Sequence, residues 1–100
     1  MVNEAIISLD RRGAHHLGSR GYPIRSIGDV TVFDLNHNQL YPKIHSLKDQ
    51  NHDGWHSISV DDENGVTAYT FVLNMDLNLG WLRPKQPNVG GGYIKIKFEQ

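Results

Sequence analysis

The sequence predicts an all-β fold, either a small antiparallel β-sandwich or a partly open barrel of five or more strands. Two stretches, YIKIKFE and VTAYTFVLN, alternate side chains in the two-residue period of a strand, and the second is rich in β-branched and aromatic residues. Turn clusters such as NHNQ and DDENG separate the apolar runs. A length of 100 residues and an apolar fraction of 38% fit one domain, residues 1–100.

The N-terminal segment NEAIISLDRRG fits either a strand or a short helix. In a strand, Ala5, Ile7 and Leu9 would share the inward face, whereas in a helix Asn3 would cap the start and Gly13 would follow the end. The segment is too short for its periodicity to decide. Residues 13–28 contain four glycines and a proline, which predicts a long ordered loop.

The middle of the chain predicts four strands. Residues 29–35 (DVTVFDL) and 40–47 (LYPKIHSL) are two of them, and Pro42, which has no amide hydrogen, places the second at a sheet edge or at a bulge. Residues 55–75 predict a β-hairpin, whose turn contains the pair Asn64-Gly65, residues that accept positive φ.

The C-terminal strand, residues 93–99, follows a second long loop in the prediction. Residues 78–92 (NLGWLRPKQPNVGGG) contain two prolines and a run of three glycines, which are typical of a loop. Strand alternation predicts a core made of Ile58, Val60, Phe71, Leu73, Ile94, Ile96 and Phe98.

Composition excludes several classes of protein. The chain has no cysteine, which excludes disulfides, thiolate zinc sites and a cysteine nucleophile. A net charge of −1 argues against a general nucleic-acid binder. No apolar run approaches the roughly 20 residues of a membrane span, and the first ten residues lack the pattern of a secretory signal. We therefore expect a protein or a carbohydrate as the partner.

Charge is segregated along the chain. No Lys or Arg lies between Lys48 and Arg83, and the first 25 residues contain a basic segment without acids from Arg11 to Arg25. The basic segment fits a surface for phosphate, carboxylates or an acidic partner. It also fits simple pairing with the acidic stretch of the same chain. The candidate binding residues of this segment are Arg11, Arg12 and Arg20.

The stretch KDQNHDGWHS is a candidate calcium loop. Asp49, Asn51 and Asp53 stand at alternate positions before a glycine, as in the first half of an EF-hand loop. Position 12 of that template is Val60 instead of a glutamate, so Asp61 or another carboxylate would have to complete the site. The same residues also form ordinary polar turns, and the sequence leaves both interpretations open.

Three aromatic residues are candidates for a binding surface. Trp55 and Tyr93 lie on the polar face of their predicted strands, at positions that alternate with the apolar ones. Trp81 lies in the Gly/Pro-rich segment. Exposed aromatic side chains of this kind stack on sugars or anchor protein interfaces. Alternatively, they cover a second sheet of the same domain.

Signals for catalysis are weak. The sequence contains no G-x-S-x-G turn, no P-loop and no G-x-G-x-x-G fingerprint. One enzyme-like constellation remains, in which His15 or His16 exchanges a proton while the arginines of the basic segment bind a phosphodiester. The six histidines do not have a convincing zinc spacing.

The sequence therefore favours a non-catalytic binding or structural module that attaches to a carbohydrate or protein, as part of a viral or bacterial assembly, with calcium as a stabilising ion. The second hypothesis is a stand-alone inhibitor that blocks a basic or nucleic-acid-binding site of a partner protein with Asp61, Asp62, Glu63 and Asp76. A phosphodiester-cleaving enzyme is the third.

A melting experiment separates the calcium loop from the polar turn. Bound calcium would stabilise the fold by about 2.7 kcal/mol at about 100 times its dissociation constant. We expect a calcium loop to raise Tm in millimolar calcium relative to chelator, and Asp53→Ala to abolish that increase. Identical melting curves with calcium and with chelator would support the polar turn.

Overall fold

The protein is a sandwich of two antiparallel β-sheets. The computed structural model describes residues 2–41, 43–48, 54–86 and 91–100, and these residues contain no helix. In particular, no described helix is long and apolar enough to cross a membrane. The strands are β1 (Val2–Ser8), β2 (His15–His16), β3 (Ser26–Phe33), β4 (Gln39–Leu40), β5 (Lys43–Lys48), β6 (Trp55–Asp61), β7 (Thr67–Asn74), β8 (Leu79–Pro84) and β9 (Tyr93–Glu99).

The described strands form two sheets, one of four strands and one of five. Sheet A has the order β1-β9-β3-β4, and sheet B has the order β2-β8-β7-β6-β5. Every pairing is antiparallel. The two ends of the chain meet in sheet A, where β9 lies between β1 and β3. The predicted all-β sandwich is therefore confirmed.

The core lies between the inner faces of the two sheets. Alternate residues of the long strands are buried, as expected when one face of each sheet packs and the other is left outside. All seven predicted core residues are among the buried side chains. The core consists of Ala5, Ile7, Leu9, Leu17, Ile24, Val32, Ile58, Val60, Tyr69, Phe71, Leu73, Leu82, Ile94, Ile96 and Phe98.

The N-terminal segment is a strand, which settles the ambiguity of its sequence. Ala5 and Ile7 are buried, whereas Ile6 between them is 61% exposed, the alternation of a strand with one covered face. Pairing along the whole of β9 supplies the backbone hydrogen-bond partners that a short isolated helix would lack. Just beyond the strand, the amide of Leu9 donates to the carbonyl oxygen of Gly92 at 3.0 Å.

The prediction of a loop over residues 78–92 is wrong for the first half of that range. Leu79–Pro84 forms β8, which pairs with β7, and Leu82 faces the core. The inward position before Leu82 is Gly80, where an added Cβ would lie 2.6 Å from the ring of Phe71. A glycine is required there because the phenyl ring fills the space. Because glycine has no side chain, the alternation of apolar residues along the strand is not visible in the sequence. Residues 87–90 lie outside the described residues.

The predicted strand over residues 40–47 is divided between the two sheets. Leu40 ends β4 in sheet A, and Lys43 begins β5 in sheet B. Pro42 lies outside the described residues. The predicted edge position is confirmed for β5, which is the last strand of sheet B.

The segment between β1 and β3 is mostly loop, as predicted, and a buried asparagine anchors it. Asn78, in the turn after β7, has φ 52° and is 1% exposed. Its Oδ1 accepts hydrogen bonds from the amides of Leu17 (3.2 Å) and Gly18 (3.3 Å), and its Nδ2 donates to the carbonyl oxygen of Ser19 (2.9 Å). The side chain of Asn78 therefore makes hydrogen bonds with the backbone of three consecutive loop residues.

The predicted hairpin of residues 55–75 is confirmed by the pairing of β6 with β7. Its turn is organised by Asp62, whose carboxylate accepts hydrogen bonds from the amides of Asn64 and Val66. The amide of Gly65 donates to the carbonyl oxygen of Asp62 at 3.1 Å and closes the turn.

Removing the Phe98 ring tests the packing of the sandwich. Phe98 is 2% exposed, so Phe98→Ala should lower the free energy of unfolding by about 3 to 5 kcal/mol. Chemical denaturation measures this loss, with Tyr22→Ala as the control because Tyr22 is 65% exposed. If Phe98→Ala proved as stable as Tyr22→Ala, the final strand would not belong to the core.

Candidate functional site

Two tryptophans meet on the outer face of sheet B. Trp55 on β6 and Trp81 on β8 lie on either side of β7, with ring centroids 5.5 Å apart and planes at 87°. Both side chains are half-buried. The guanidinium carbon of Arg83 lies 5.6 Å from the Trp81 ring centroid, within the range of a cation–π contact. The sequence prediction included both tryptophans and missed Arg83, because β8 was assigned as a loop.

The register of the strands brings these two rings together. Trp81 is paired with Val72, and Trp55 is paired with Asn74, two residues further along β7. Diagonal neighbours across a strand are within reach of large aromatic side chains. The inward residues Ile58, Phe71 and Leu82 fix the parity of all three strands, so both indoles must stand on the outer face.

Small hydroxyl side chains occupy much of the rest of this surface. Ser59 Oγ lies 3.5 Å from Thr70 Oγ1 on the neighbouring strand, and Ser57 is paired with Val72. All of these residues are half-buried. We call this surface the tryptophan face, and it consists of Trp55, Ser57, Ser59, Thr70, Val72, Trp81 and Arg83.

Tyr93 lies on the opposite side of the sandwich from the two tryptophans. It stands on the outer face of sheet A, where its ring stacks on Phe33 with centroids 4.9 Å apart and planes at 12°. The three predicted aromatic residues therefore do not form one surface. The structure divides them between the two outer faces.

The arginines of the basic segment are exposed and lie in loops. Arg11 and Arg12 follow β1 and line a cleft of about 550 Å³ together with Leu82, Pro84 and Gln86. Arg20 belongs to the turn after β2. Among the described residues, none of the three arginines forms an ion pair, whereas Arg25 pairs with Glu99 and Lys95 pairs with Glu4.

The two adjacent histidines both belong to the junction of β2 with β8. His16 donates from Nδ1 to the carbonyl oxygen of Asn78 at 2.9 Å. Both ring nitrogens of His15 are buried and make no hydrogen bond of good geometry within the described residues. The His15 ring lies 6.3 Å from that of Phe71. Loss of hydration lowers the pKa of His15, the charge of Arg11 lowers it further, and the backbone of Gly13 partly opposes both effects.

Of the four candidate calcium ligands, only Asp61 belongs to the described residues. Asp49, Asn51 and Asp53 lie outside the described residues. Asp61 is buried at the end of β6 and accepts a hydrogen bond from Thr67 Oγ1 at 3.0 Å. An added Cβ at Gly54 would lie 2.5 Å from a carboxylate oxygen of Asp76, so this acid lies beside the end of the loop. Within the described part of the chain, no three His, Asp or Glu side chains converge on one point.

Comparison of the chain with known proteins found no match among protein-family models, curated proteins or solved structures. On the tryptophan face, two large aromatic side chains lie together with hydrogen-bonding groups.

The low pKa of His15 predicts a loss of stability in mild acid. The unfolded state takes up a proton near the ordinary value of 6.5, and the folded state does so only at lower pH. Between these two values the unfolded state binds more protons, so the free energy of unfolding falls as pH is lowered from about 7. Thermal melts from pH 7.5 to 5.0 should show this decline, and His15→Phe should flatten it. Parallel profiles for the two proteins would contradict the assignment to His15.

Proposed function

We propose that the protein is a non-catalytic carbohydrate-binding module that holds its target on the tryptophan face. The observation that carries this proposal is the Trp55–Trp81 contact across β7, flanked by side-chain hydroxyls. Tryptophan is a large apolar side chain, and the two half-buried indoles leave part of each ring exposed on the outside of the sandwich.

The chemistry of this face matches that of a sugar ring. A pyranose ring presents C–H groups on its faces, which pack on an indole, and hydroxyls around its edge, which exchange hydrogen bonds. The indole ring of Trp81 supplies the first kind of contact, while Ser59 and Thr70 supply the second. The guanidinium of Arg83 lies over the Trp81 ring and adds a planar group of hydrogen-bond donors.

A protein partner fits this face less well. A standard protein interface covers about 800 Å² on each partner and has an apolar core of large side chains. On this face the two indoles have mainly small hydroxyl residues and a single valine beside them. Several of the large exposed apolar residues lie instead near the β3–β4 hairpin, namely Leu35, Leu40 and Tyr41.

The acidic stretch gives the inhibitor hypothesis less support than the tryptophan face gives the binding module. Asp61 is buried and accepts a hydrogen bond from Thr67. Asp62 accepts hydrogen bonds from two turn amides and from Nε2 of Gln86 at 3.0 Å. Two of its four acids are therefore engaged within the hairpin, which leaves Glu63 and Asp76 as the exposed charges.

The enzyme hypothesis depends on the two histidines, and their surroundings favour a structural role. A proton-transfer residue must come within hydrogen-bond reach of its substrate. The nitrogens of His15 are buried, and Nδ1 of His16 bonds Asn78. These contacts support the choice of a non-catalytic module.

Retention on insoluble polysaccharides tests the proposal. We expect the protein to be retained by at least one of cellulose, chitin, xylan and starch granules, with little change between 50 mM and 1 M NaCl. Trp81→Ala should weaken that binding by about thirtyfold, the effect of losing a central aromatic anchor of about 2 kcal/mol. Tyr22→Ala is the control, because it removes an exposed aromatic ring in the loop after β2.

Three outcomes would overturn the proposal. The first is the absence of retention on all four polysaccharides. The second is equal retention of Trp81→Ala and the parent protein. The third is salt-sensitive binding that disappears when Glu63 and Asp76 are changed to Gln and Asn, which would favour the inhibitor hypothesis.

A further inference from the structure

A second cluster of aromatic and cationic side chains lies on the outer face of sheet A. Phe33 on β3 and Tyr93 on β9 are paired in the register and stacked on each other. The ammonium nitrogen of Lys95 lies 5.3 Å from the Phe33 ring centroid. Nδ1 of His37 and the hydroxyl of Tyr93 share a hydrogen bond of 3.0 Å. Of these four residues, only Tyr93 is a candidate binding residue from the sequence.

The turn that precedes β4 holds His37 in place. The Asp34 carboxylate accepts hydrogen bonds of 2.9 Å from the amides of both Asn36 and Asn38, and these contacts lower its pKa. His37, within this turn, has φ 65°, a conformation uncommon for a residue other than glycine. Residues held in sparsely populated backbone conformations cluster at ligand sites, which makes His37 a candidate contact residue.

A groove of about 630 Å³ runs beside this cluster, within the size range of small-molecule sites. Its cationic groups are Arg11 and Lys95, and none of the described residues that line it carries a carboxylate. Within the described part of the chain, Arg11 has no acidic partner. The described residues that line it are Ile6, Ser8, Arg11, His37, Gly92, Tyr93 and Lys95.

The arrangement of these groups narrows the class of ligand. Phe33 and Tyr93 cover one face of each other's ring, and Lys95 lies by Phe33, so the cluster is poorly suited to stacking a nucleobase. Glu4 lies 3.6 Å from Lys95, and Asp29 lines an adjacent groove, which disfavours a polyanion. The groove therefore fits a small ligand that has one negative charge and several hydroxyls.

We propose that this groove binds a sugar that carries a carboxylate. Arg11 pairs with the carboxylate, because a guanidinium presents two parallel donors that match its oxygens. Tyr93, His37 and Ser8 exchange hydrogen bonds with the sugar hydroxyls, and Ile6, which is 61% exposed, packs on the C–H groups of the ring. This site lies on the other sheet from the tryptophan face and does not depend on the function proposed for that face.

A matched pair of ligands and a matched pair of variants test the site. Methyl glucuronide and methyl glucoside differ only in the carboxylate, and NMR titration measures millimolar binding of both. We expect the glucuronide to bind at least tenfold more tightly than the glucoside. Arg11→Gln should weaken binding of the glucuronide at least fivefold, whereas Arg12→Gln should change it less than twofold. Arg12 is the control because it neighbours Arg11 but lies outside the lining of this groove.

The two variants replace exposed side chains, and their melting curves will verify that they fold. Equal binding of the two sugars would overturn the proposal, as would the absence of glucuronide binding at 20 mM. Equal losses for Arg11→Gln and Arg12→Gln would mean that only the general positive charge attracts the ligand. Tighter binding of a short single-stranded oligonucleotide than of the glucuronide would also overturn the proposal, because it would identify a nucleic acid as the ligand. In the same titration, the backbone amides of Ser8, His37 and Tyr93 should shift and the indole N–H signals of Trp55 and Trp81 should not, so this site and the tryptophan face can fail separately.

Discussion

The contact between the inner faces of the two sheets determines where every other feature of the molecule lies. Phe71 and Phe98 fill this contact from opposite sheets with the aliphatic side chains around them. A strand that slipped by one residue would turn its whole apolar row toward water, so the contact fixes the parity of each strand. The outer positions follow from this constraint, and they place Trp55 and Trp81 outside sheet B and Tyr93 outside sheet A.

Alternation made the fold class and much of the core predictable, and the errors have identifiable physical causes. Apolar residues alternate regularly along β6, β7 and β9, and the predicted core residues of these strands are buried. The strand β8 was missed because Gly80 leaves space for the Phe71 ring and contributes no apolar side chain to the pattern. The segment around Pro42 was assigned as one strand because composition does not show that a chain changes sheets.

The candidate sites were less predictable than the fold, because they depend on which strands are neighbours. Parity indicated that Trp55 faces outward, but only the order β8-β7-β6 brings Trp81 to it across Val72. The cluster around Phe33 requires the pairing of β3 with β9, strands separated by most of the chain. The long-range contacts of Asn78 likewise could not be inferred from its place in a Gly- and Pro-rich segment.

The two outer faces of the sandwich carry different side chains, and the proposed function depends most on the tryptophan face. The indole N–H signals of Trp55 and Trp81 are separate probes in an NMR spectrum. We predict that an oligosaccharide fragment of the retained polysaccharide will shift both signals and the backbone amides of β6, β7 and β8, with one saturable binding curve. Shifts confined to the strands of sheet A, or to the hairpin turn at residues 62–66, would contradict the assignment of binding to the tryptophan face.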